Sequence, residues 1–68
     1  MAENLITVVF NVQYAGSPEI TVINHSLPFV PRIGEHVSLD GDTSLRVQDV
    51  IHMVPPNKPP IVQVLLRG

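Results

Sequence analysis

Apolar and polar residues alternate along residues 4–14 with the two-residue period of a half-buried strand. Ile6, Val8, Phe10, Val12 and Tyr14 fall on one side, and Thr7, Asn11 and Gln13 on the other. Four further runs rich in Val, Ile, Leu or Thr, over 19–27, 36–40, 44–54 and 61–67, also read as strands. Gly16-Ser17-Pro18, the stretch from Pro28 to Gly34, Gly41-Asp42-Thr43 and the stretch from Pro55 to Pro60 separate them. No run carries a sustained i, i+3, i+4 apolar stripe between caps, so no helix is expected.

Directly opposed residues of an antiparallel pair share a face, so the pattern also predicts register. Pairing Tyr14 with Ile20 and Val12 with Val22 keeps apolar beside apolar and implies a three- or five-residue turn about Gly16 to Pro18. A two-residue turn, setting Val12 against Thr21 and Asn11 against Val22, is disfavoured because it mixes the faces. Leu39 with Leu45 and Val37 with Val47 agree, giving a loop centred on Asp42. Continuing that register opposes Glu35 and Asp49, so regular pairing is expected to end or bulge near Asp49. In the second run the face of Ile20 and Val22 turns polar at Asn24 and Ser26, while the other face gains Ile23 and Leu27. Leu5, Val9, Ile23 and Leu27 are therefore the candidate interface residues; the alternative is the far side of a tightly coiled barrel wall.

Five short strands in succession predict an all-β fold, a five-stranded antiparallel meander closing into a small SH3-like barrel. Closure removes the exposed face and the two edges that a flat sheet of this size would present. The segment Val30-Pro31-Arg32-Ile33-Gly34-Glu35-His36-Val37-Ser38-Leu39 resembles the entry into a barrel strand in SH3-like small barrels. There a Pro and a Gly shape a tight turn, followed by an acidic residue and a strand that begins with Val. Together with the later Val-rich strands it also resembles a class of short, uncharacterised bacterial and phage proteins. The resemblance implies an SH3-like fold and no particular activity. Plasmid-borne dihydrofolate reductases are SH3-like oligomers of similar size, but their Gln-Ile-Tyr signature is missing from Ile61-Val62-Gln63-Val64, so that activity is not implied.

At 68 residues the chain has room for a single domain over 1–68. Hydrophobic residues make up 44% of it and charged residues 15%, against roughly 25% charged in ordinary soluble domains. Cysteine is absent, which excludes disulfides and thiolate metal ligands as sources of stability. A core this small is helped by self-association, so a homo-oligomer is expected. The formal charge is -2, and Arg32, Arg46, Lys58 and Arg67 are scattered, which disfavours nucleic acid as a partner. No apolar run reaches the length of a membrane span and no signal-peptide pattern stands at the start, so a cytoplasmic protein is expected.

Candidate chemistry is sparse. His25, His36 and His52 lie on three predicted strands without the spacing of a metal motif. Asp40-Gly41-Asp42-Thr43 lacks the remaining oxygen ligands of a calcium loop and reads as a turn. Glu35 and Asp49 form a carboxylate pair only if their strands stay in register. No nucleophile motif, phosphate-cradling loop or cofactor fingerprint is present, so no catalytic residue, metal or cofactor is expected. Phe10, Tyr14 and Phe29 are too few, with too little basic surface, to form a nucleic-acid stacking platform. Pro55-Pro56-Asn57-Lys58-Pro59-Pro60 is stiffened toward polyproline geometry. Pro55, Pro56, Asn57 and Lys58 are candidates for a ligand loop, the alternative being a rigid connector. The expectation is a non-enzymatic interaction module that self-associates and binds a protein or small ligand at its interface. Two alternatives are a nucleic-acid-binding barrel whose oligomer aligns Arg32, Arg46 and Lys58, and an enzyme whose histidines meet only at a subunit interface.

Overall fold

A computed structural model describes residues 5–68. Asn4, where the first strand was expected to begin, lies outside the described residues. Five strands form one sheet: β1 (Ile6–Gln13), β2 (Thr21–Leu27), β3 (His36–Val37), β4 (Leu45–Met53) and β5 (Ile61–Arg67). Each falls within a run that the pattern predicts, but β3 keeps only two residues of the expected 36–40.

The pairing departs from the antiparallel meander. The strand order is β2-β1-β5-β4-β3, and β1 pairs with β5 in parallel while the other ladders are antiparallel. The sheet curls as a small barrel does but stays an open half-barrel. β5 carries the most nearly continuous apolar run, and a place between two neighbours shields more of that surface than an edge would. It takes the centre, between β1 and β4, and all of its residues except Arg67 are at least partly buried. The more polar β2 and the very short β3 are left at the edges.

One face of the curl carries the core. Val8, Phe10 and Val12 of β1, Leu45 and Val47 of β4, and Val62, Val64 and Leu66 of β5 are each no more than 5% exposed. Burying each such side chain contributes about 1.5–3 kcal/mol. Val30 from the chain that joins the two edges, Val37 of β3 and Leu39 just after it pack against this cluster.

The β1–β2 register is one residue away from the predicted one. Val12 stands opposite Thr21 and Asn11 opposite Val22, the pairing the pattern disfavoured. The connection Tyr14–Ile20 is too long to impose a register, although it contains a tight turn closed by Ser17 N donating to Tyr14 O at 3.1 Å. Ile23 and Leu27 thereby join the core side, across from Phe10 and Ile6. Val22 points to the opposite, outer face and is 61% exposed.

A register irregularity does occur beside Asp49, but in the β4–β5 ladder. Val47 opposes Leu66 and Asp49 opposes Leu65, leaving Gln48 as the extra residue. The bulge re-aims the strand. Val47 and Val50 both face the core, while Asp49, Ile51 and Met53 turn outward. Glu35 does not meet Asp49. Gly34 N donates to Val47 O and Val47 N donates to Glu35 O, at 3.0 and 2.8 Å. Val37 accordingly opposes Leu45 rather than Val47.

Candidate functional site

The half-barrel is open where its edge strands β2 and β3 fail to pair. Along this seam lies a groove of about 400 Å³. β1 supplies Phe10, β2 supplies His25 and Leu27, and β3 supplies His36 and Val37. Phe29, Pro31 and Glu35 line it from the β2–β3 connection, and Ser38 and Leu39 from the chain after β3. The lining is largely apolar. Phe10 meets His25 edge to face, with ring centroids 5.9 Å apart and planes inclined by 68°, a favoured aromatic geometry.

The turn that carries the chain to β3 is built as the sequence suggests. Glu35 N donates to Arg32 O at 3.0 Å, and Gly34 at the third position has φ 91°. A type II turn requires that positive φ, which Gly adopts without steric cost. The Glu35 carboxylate accepts from Arg32 N at 2.6 Å, so it clamps the turn rather than pairing with a second carboxylate. Asp49 Oδ1 likewise accepts from Val50 N at 2.9 Å.

The edges differ in how they meet solvent. β3 is two residues long and flanked by Arg32, Glu35 and Asp40. Short length and flanking charge are common ways of blunting an edge. β2 runs for seven residues, Thr21-Val22-Ile23-Asn24-His25-Ser26-Leu27, without Asp, Glu, Lys, Arg or Pro. Among the described residues its free edge makes no backbone bond to the loops. Unpaired donors and acceptors in such an array are a template for another strand.

The candidate interface residues divide between two places. Ile23 and Leu27 lie on the core side of β2, and Leu27 lines the groove. Val9 is half-buried on the outer face, and Leu5, just before β1, is 53% exposed. None of Pro55, Pro56, Asn57 or Lys58 lines the groove; they form the turn between β4 and β5. His25 and His36 share the groove, whereas His52 lines a separate depression with Val30, Arg32 and Val50. Among the described residues no group of three or more His, Cys, Asp or Glu is placed to hold a metal.

Asp40 Oδ1 accepts from Asp42 N at 2.9 Å and Thr43 N at 2.8 Å. The Thr43 bond, followed by that from Asp42, lowers the Asp40 pKa from its ordinary 3.8. The carboxylate thus organises its own turn. Phe29 and Pro31 were not foreseen as groove residues. The available signal was an aromatic next to the Pro-rich connection, here left 62% exposed.

The chain is thus a small all-β half-barrel with one blunted edge, one open edge and an apolar groove between them. Compared with known proteins, it matches no family model, no curated protein and no solved structure. No helix among the described residues is long and apolar enough to cross a membrane.

Proposed function

We propose that this protein is a non-enzymatic interaction module that self-associates and binds a protein or small ligand at the resulting interface. The observation that carries this reading is the seven-residue, uncharged, unpaired edge of β2 beside the groove. Surplus apolar surface points the same way. Val22, Phe29, Ile33 and Val54 are 61%, 62%, 64% and 74% exposed, more than so few charges disperse. The turn at Pro31-Arg32-Ile33-Gly34-Glu35 supports kinship with SH3-like small barrels, here left unclosed. Sedimentation velocity across the micromolar range tests the reading. A concentration-dependent shift to a heavier species is expected, and a particle that remains monomeric throughout would overturn it.

A further inference from the structure

We infer that the partner at the open edge is a second copy of this chain, joined by antiparallel pairing of the two β2 strands about a two-fold axis at Asn24. This rests on the self-association proposed above and specifies its surface, symmetry and register.

A two-fold axis perpendicular to the sheet brings an edge strand against itself in antiparallel sense and keeps each face on its own side. For β2 (Thr21–Leu27) only an axis at Asn24 uses all seven residues. Asn24 then opposes Asn24 of the partner subunit, Ile23 opposes the partner's His25, Val22 opposes the partner's Ser26, and Thr21 opposes the partner's Leu27. No acidic or basic side chain meets its like, and the central carboxamides both donate and accept. Moving the axis one residue shortens the ladder and sets either Ile23 or His25 against itself.

Three structural facts favour this occupant. The edge carries none of the charge, proline or bulging that usually prevents copies from pairing. The competing edge, β3, offers only two residues. Among the described residues no other element stacks on the outer side of β2, and Val22, Asn24 and Ser26 are all exposed there. A paired copy also supplies the seam with the strand it lacks. Since His25 and Leu27 belong both to β2 and to the groove, the second strand becomes a wall of that groove, whose ligand site is then complete only in the dimer.

Charge exchange at the axis tests the proposal on the full chain. Asn24→Lys places two ammonium groups face to face, and Asn24→Asp two carboxylates; each variant alone is expected to dissociate at least tenfold more readily than the wild type. Asn24 is exposed, so the circular dichroism spectrum and urea midpoint of the separate variants serve as a check on folding. Mixed in equal amounts at low salt, the two variants should associate with each other. A folded Asn24→Lys chain that still dimerises like the wild type would overturn the β2 pairing while leaving self-association intact. Dissociated variants that do not recombine on mixing would overturn the axis at Asn24. A wild type that is monomeric throughout would remove both this inference and the function it rests on.

Discussion

Arg46 and Arg67 stand directly opposite one another across the β4–β5 ladder, and His36 opposes Arg46 from its other side. Like charges in directly opposed positions raise the free energy of the folded sheet. Arg46→Glu turns the pair into one of opposite sign. It is expected to raise the unfolding free energy by roughly 0.2–1 kcal/mol at low salt, with the gain shrinking as salt is added. Urea titrations at two ionic strengths read this, and a loss of stability at low salt would contradict it.

Phe10 sits at 1% exposure where the core meets the groove. Phe10→Leu, which removes three buried carbons, is expected to cost roughly 2–3 kcal/mol, on the scale of ~0.8 kcal/mol per buried carbon group. A double-mutant cycle with His25→Ala should return a coupling of roughly 0.5–1.5 kcal/mol from the edge-to-face contact. Additive losses would show that the rings do not interact in solution.

Val50 and Ile51 report on the bulge at Gln48. Val50 packs against the core, whereas Ile51 faces outward at 42% exposure. Val50→Asn is expected to destabilise by about 1–3 kcal/mol, since it turns an amide toward apolar neighbours. Ile51→Asn should stay within about 0.5 kcal/mol of the wild type. A straight ladder from Val47 onward would reverse that order, so chemical denaturation of the two variants decides the register.

Gly34 has φ 91°, and among the described residues nothing lies within 4 Å of where a Cβ would stand. The cost of Gly34→Ala is therefore backbone strain alone, about 1–2 kcal/mol. A loss much below that would mean the turn changes type when the glycine is removed.

Asp40 gives stability a pH dependence of definite sign. Its pKa is lower in the folded chain, held down by the Thr43 and Asp42 N–H groups. Its contribution is present above the ordinary carboxylate pKa and is lost as pH falls through the folded value. The urea midpoint should therefore drop on acidification, and Asp40→Ala should lower the midpoint at neutral pH while flattening the acid slope. An unchanged acid slope in the variant would contradict this assignment.

Much of the sheet was legible from local pattern. The alternation of Ile6, Val8, Phe10 and Val12 marked β1 and its inward face, whereas the bulge beside Asp49 arises in the β4–β5 ladder and not from any opposition of Glu35 and Asp49. Sheet order was not legible, because period-two alternation states which residues share a face and not which strands are neighbours. The clue lay in β5, where Ile61, Val62, Val64, Leu65 and Leu66, interrupted only by Gln63, give the near-continuous apolar run expected of a well-covered strand. The β1–β2 register failed for a related reason. Both parities of the run 19–27 hold two large apolar groups, Ile20 and Val22 against Ile23 and Leu27, and the seven-residue connection Tyr14–Ile20 imposes no choice between them. The groove escaped notice because it exists only where β2 and β3 remain apart.

The strand at the middle of the sheet is also the last of the five to be synthesised. Until it emerges from the ribosome, the β1–β2 hairpin and the β3–β4 pair have no common neighbour to join them. Val8, Phe10, Leu45 and Val47 must wait, uncovered, for Val62, Val64 and Leu66. The core face of β1 and β4 is therefore completed only by a strand that follows both of them in the chain, which makes β5 the shared neighbour on which the whole curl depends.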